Sequence, residues 1–73
     1  MKTKLKSPHI KLVELVLERE KISQKGLERK SGIDQPTLSR ILRGERKITL
    51  ETLRKLIPFL SKNDIDSFFR DLT

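Results

Sequence analysis

Apolar residues along the 73-residue chain recur at helical spacing, and no stretch shows the strict alternation of a strand. Between Pro8 and Glu20, Ile10, Val13 and Leu17 follow one helical face, and Leu12, Leu15 and Val16 widen it. Ser7-Pro8 marks the start, because serine can accept from the free amides and proline at the first helical position loses no bond. Ser23 caps a second helix, Gln24 to Ser31, with Leu27 as its main core residue. Gly32 ends it where a left-handed backbone costs least, Ile33 plugs the turn, and Asp34 caps a third helix. In that helix Leu38, Ile41 and Leu42 face inward, Pro36 lies in the tolerant first turn, and Gly44 closes the element.

Thr49 caps a fourth helix with Leu50, Leu53, Leu56 and Ile57 as its apolar stripe, and Pro58 ends or kinks it. Ser61 or Asn63 starts a fifth, with Asp64 and Asp66 near its positive end and Ile65, Phe68, Phe69 and Leu72 at i, i+3, i+4 and i+7. The pattern predicts an all-α fold, a compact bundle of five short helices. It also predicts a flexible basic arm over residues 1–7 and a single domain over residues 8–73.

Charge narrows the partners. The net charge is +7, and residues 1–47 hold 13 Lys/Arg against 6 Asp/Glu, while residues 48–73 hold 4 of each. All the excess positive charge therefore sits in the part that carries helices two and three. A polyanion is the natural partner, and nucleic acid is commoner than an anionic membrane; a merely soluble basic surface fits the charge alone equally well. There is no cysteine, so no disulfide or thiolate site reinforces so small a core. The apolar runs are too short for a membrane span, and the basic N-terminus lacks the apolar stretch of a secretory signal. A cytoplasmic location follows as the expectation.

The stretch ISQKGLERKSGIDQPTLSRILRGERKITLETLRKL resembles the lambda-repressor-like (Xre) helix–turn–helix family, over a frame of roughly residues 8 to 60. Ser23-Gln24, Leu27, Gly32-Ile33, Gln35, Thr37, Ser39-Arg40-Ile41, Gly44 and Leu50-Glu51-Thr52-Leu53 carry it in register. The resemblance implies that helices two and three form the helix–turn–helix. It also implies double-stranded DNA as partner, a homodimer on an inverted-repeat operator, and a bacterial or phage-type regulator, a repressor by preference, that joins the nucleoid when bound. Two departures stand out. Glu28 replaces the alanine that the family favours, so its carboxylate must turn outward or the two helices must pack differently. Leu17 and Leu42 stand where members often pair an arginine with a glutamate, which suggests an ion pair replaced by an apolar contact.

In such a complex helix three lies in the major groove, and its first part reaches base edges. Gln35 can bond bidentately to adenine, Pro36 offers an apolar face to a thymine methyl, and Ser39 and Arg40 follow one turn on, with Arg40 suited to guanine. Gln24, Thr37, Arg43, Arg46 and Lys47 are the candidate phosphate contacts, with a merely solvated loop as the equal alternative for Arg46 and Lys47. Lys2, Lys4 and Lys6 form an arm that either tracks the duplex or is a tail without a role. Phe68, Phe69 and Leu72 either cap the core or supply a dimer interface; the first reading must hold for at least one of them.

Catalysis finds no support. His9 is the only histidine, in the first turn of helix one, where surface exposure is expected. No metal-ligand spacing, paired-carboxylate motif or glycine-rich phosphate loop occurs, so no enzyme activity, cofactor or small-molecule ligand is expected. The alternative from another class is a protein-docking module on a helix–turn–helix scaffold. Within DNA binding, a small repressor, an antitoxin-like regulator and the DNA-binding part of a longer sensor all remain open.

Overall fold

Helix boundaries follow the caps. The computed structural model describes residues 7–72, and among them five α-helices form and no strand. Helix α1 runs Pro8–Glu20, α2 Gln24–Ser31, α3 Gln35–Leu42, α4 Leu50–Leu56 and α5 Lys62–Leu72, with a 3-10 turn Ile57–Phe59 between the last two. Ser7 Oγ accepts from the Ile10 amide at 3.3 Å and Ser23 Oγ from Gly26 at 3.2 Å, each satisfying one free donor of a first turn. Thr49 does the same for Thr52. Pro58 stops α4 as expected, tightening the chain into the 3-10 turn. Ser61 settles the start of α5: its hydroxyl accepts from the Asp64 amide while Asp64 Oδ2 accepts from the Ser61 amide at 2.8 Å, a reciprocal capping pair.

The core is made by α1, α2 and α3 with contributions from α4 and α5. Val13, Val16, Leu27, Leu38, Ile41 and Leu56 have no exposed surface, and Leu12, Ile33, Leu53 and Phe68 complete the buried set. Leu17 and Leu42, the pair that departs from the family's ion pair, are both half-buried against this core. Three expectations about burial need correction. Leu50 is 74% exposed and Ile57 44%; Thr52, Leu53 and Leu56 form the buried arc of α4, and Leu50 and Ile57, seven residues apart, share a stripe beyond its edge. Phe68 is 5% exposed and belongs to the core, so it supplies no dimer surface, whereas Phe69 and Leu72 are 48% and 44% exposed.

His9 is the third. It is half-buried rather than a free surface residue: Nδ1 accepts from the Ile48 amide at 3.0 Å, and the ring meets Phe68 edge-on at 5.4 Å. One side chain thus ties α1 to the α3–α4 loop and to α5. Burial lowers its pKa below the ordinary value of 6.5, and the nearby Lys47 charge lowers it further. The neutral ring with a bare Nδ1 is the form this bond requires.

A second long-range tie joins α1 to α5. Arg19 grips Asp64 with both terminal nitrogens, at 2.6 and 3.2 Å, and Nη1 also reaches the Phe59 carbonyl at 3.5 Å. The guanidinium and the Ser61 backbone hold the Asp64 carboxyl well below the usual carboxylate range.

Candidate nucleic-acid interface

The turn between α2 and α3 is built from three adjacent residues. Gly32 takes a left-handed backbone with φ 84°, and its amide bonds to the Glu28 carbonyl. The Ser31 hydroxyl donates back to the Leu27 carbonyl at 2.7 Å and accepts from the Ile33 amide at 3.1 Å. Ile33 is buried beneath the turn and pins it to the core. These bonds satisfy the end of α2 and redirect the chain in few residues, which fixes α3 against α2.

On α3, Leu38 and Ile41 are fully buried against α1 and α2. That leaves Gln35, Pro36, Ser39 and Arg40, at i, i+1, i+4 and i+5, on the opposite face. Gln35, Pro36 and Arg40 are exposed and Ser39 is half-buried. The structure therefore brings all four expected base-reading residues to one outward face of a helix of 8 residues. Among the described residues Arg40 has no ion-pair partner, so its guanidinium stands unengaged on that face.

The flanking residues are placed less uniformly. Gln24 opens α2, where free amides and the helix dipole favour an anion. The Thr37 hydroxyl donates to Asp34 Oδ1 at 2.6 Å and is occupied as a donor in the free protein. Arg43 is the C-cap residue of α3, one position beyond its last helical residue, and pairs with Glu45 at 3.1 Å on the surface. Arg46 and Lys47 are exposed in the α3–α4 loop and line a cleft of about 280 Å³ together with Thr37, Thr49, Lys55 and the acidic Asp34 and Glu51. Lys2, Lys4 and Lys6 lie outside the described residues.

Two features were not visible in the sequence. Asp34 occupies the N-cap position of α3, yet its side chain makes no capping bond. Glu28 does the capping instead: its Oε2 accepts from the Gln35 amide at 3.1 Å. The expected choice for this residue, an outward carboxylate or altered helix packing, resolves as a half-buried strut from α2 to the first residue of α3. The only readable signal was a carboxylate seven positions before a helix start, and that spacing has no general meaning.

Among the described residues no group of side chains could hold a metal ion, and no helix is long and apolar enough to cross a membrane. A short turn, a buried helix face and an outward polar and basic face define the lambda-repressor-like helix–turn–helix class. The comparisons with known proteins agree. The family model described as helix-turn-helix, HTH_3, matches residues 13–61, and the chain belongs to that family. A relative from Haemophilus influenzae, described as an HTH-type transcriptional regulator, is 47% identical over 51 residues. That alignment covers 67% of this chain and 52% of the relative, so the chain spans about half the length of the curated protein it matches. The fold is similar to the restriction-modification controller protein C.Esp1396I. A point-mutant form superposes with TM-score 0.72 at 20% identity, over 99% of this chain and 95% of that one. The wild-type form gives 0.73 at 19%, over 97% and 96%.

Proposed function

We propose that this chain is the sequence-specific DNA-binding unit of a transcriptional regulator, which reads the major groove with α3. The observation that carries this reading is the outward face formed by Gln35, Pro36, Ser39 and Arg40, held rigidly by the burial of Leu38 and Ile41 behind it. Gln35 pairs with adenine and Arg40 with guanine, each bidentately, and Pro36 and Ser39 fill the edge between them. Gln24, Arg46 and Lys47 hold phosphates on the two flanks, and Arg43 joins them when it leaves Glu45. The unit acts as a homodimer through Phe69 and Leu72, placing two copies of α3 about 34 Å apart on an inverted repeat. Occupying promoter DNA in the cytoplasm, it represses. The HTH-type transcriptional regulator of Haemophilus influenzae supports the regulatory role.

The test is selection of bound duplexes from a random-sequence pool at near-physiological salt, followed by sequencing. An enriched inverted repeat with half-sites one helical turn apart is the expected outcome. Binding that enriches no sequence and vanishes as salt rises is electrostatic attraction alone and rejects the proposal.

A further inference from the structure

The helix proposed to read DNA begins without the cap its own sequence offers. Asp34 spends its carboxylate on the Thr37 hydroxyl, and the Gln35 amide donates across the turn to Glu28. Gln35 is the first residue of α3, and its side chain is exposed. The Glu28 contact therefore fastens one helix of the pair to the backbone of a base-reading residue in the other.

We propose that Glu28 is a positioning residue for base readout and raises the ratio of specific to non-specific binding; this rests on α3 being the groove-facing helix. The first amides of a helix have no intrahelical partner, and a carboxylate there is favoured by both the hydrogen bond and the helix dipole. A charged acceptor makes the stronger bond, so it fixes where α3 starts and hence where the Gln35 side chain leaves the backbone. Bidentate pairing with adenine needs both of its bonds aligned at once, which makes that origin matter.

The second effect is electrostatic. A helix start attracts phosphate, and a backbone phosphate lodged there would hold α3 on any sequence. Glu28 already occupies the amide of that position and repels the phosphate. The start of α3 is left to a neutral amide side chain facing a base edge. Non-specific duplex is disfavoured while the paired site is not.

The experiment compares wild type with Glu28→Ala and Glu28→Gln, after circular dichroism establishes equal helix content. Exchange of the Gln35 amide is read by NMR in the free proteins, and base preference by selection from a random-sequence duplex pool. In Glu28→Ala the Gln35 amide should exchange about fivefold faster. Its preference should fall by about fivefold to tenfold at the one base position that Gln35→Ala also relaxes. The position relaxed by Arg40→Ala should stay sharp. Glu28→Gln keeps an acceptor oxygen, so amide protection and most of the preference should return, while binding to unselected duplex tightens with the charge removed. Glu28→Ala with wild-type amide exchange and wild-type preference overturns the proposal. Equal weakening at every base position also overturns it, since that marks a purely structural role. If Gln35→Ala and Arg40→Ala leave the selected sequences unchanged, the groove reading itself fails and takes this proposal with it.

Discussion

Phe68 and Phe69 are neighbours of identical chemistry on one helix, and the structure gives them opposite work. Phe68 is 5% exposed, packed in the core and edge-on to His9 at 5.4 Å and to Phe69 at 5.5 Å. Phe69 is 48% exposed. Truncating a buried phenylalanine to alanine costs about 3–5 kcal/mol through lost burial and the cavity left behind. A domain of this length has a total stability of about 4–11 kcal/mol. Phe68→Ala therefore removes about a quarter or more of what holds the fold. Phe69 loses only the buried half of its surface, worth about 1 kcal/mol within one chain.

Association separates them further. If Phe69 lies in a dimer interface, the dimer is stabilised by mass action and the unfolding midpoint rises with protein concentration. Urea unfolding followed by circular dichroism, at two concentrations about tenfold apart, reads both quantities. Phe68→Ala should lower the midpoint strongly at either concentration. Phe69→Ala should lower it slightly and abolish the concentration dependence, with a monomer in sedimentation. If Phe68→Ala fails to fold, Phe68→Leu, with an expected loss of about 1–2 kcal/mol, keeps the comparison open. Equal losses for the two alanine variants, or a loss below about 1 kcal/mol for Phe68→Ala, would refute the assignment.

The other predictions are simpler. Arg40→Ala should cost about 1–3 kcal/mol on the selected site and relax one base position, whereas Lys47→Ala should weaken all duplexes similarly and reduce the salt slope by about 1, both read by binding titrations over a range of salt. His9 has a folded pKa below its unfolded value of 6.5, so the unfolded chain takes up the proton first; stability is full above that value and is lost as pH falls from there through the lowered folded pKa. Urea midpoints should therefore drop between pH 7 and pH 5 in wild type and stay level over that window in His9→Gln. At Gly32, with φ 84° and nothing within 4 Å of the point where a Cβ would sit, an alanine meets no clash, so Gly32→Ala should cost only the backbone strain of about 1–2 kcal/mol, measured by the same unfolding.

Every helix was legible in the chain because its punctuation is local. Ser7-Pro8, Ser23, Gly32, Thr49, Pro58 and Ser61 act within a few residues of the boundary they set. Burial was legible only where the apolar stripe was unambiguous, as for Val13, Val16, Leu27, Leu38 and Ile41. At the rim it was not. Leu50 fits the helical period of α4, yet the neighbouring elements cover the arc through Thr52 instead. Phe68 and Phe69 both satisfy the period of α5, and the placement of α1 decides between them. The ties from Arg19 to Asp64 and from His9 to Ile48 join residues 45 and 39 apart, where no local rule applies.

The outward face of α3 was readable for the same local reason, because burying Leu38 and Ile41 leaves Gln35, Pro36, Ser39 and Arg40 no other side to occupy. The contacts proposed to tune selectivity at that face were not. The excess charge of residues 1–47 predicts attraction to any duplex, which is a sequence-independent and salt-sensitive effect. In the fold, Lys30 pairs with Glu20 and Arg43 with Glu45, and the start of α3 carries the Glu28 and Asp34 carboxylates rather than bare amides. On the proposed reading each of these contacts subtracts from indiscriminate attraction without touching Arg40. A protein that needed only to bind polyanions would gain from removing them; one that must distinguish a site from the rest of the duplex gains from keeping them, because the phosphate term falls on all sequences and the base term does not.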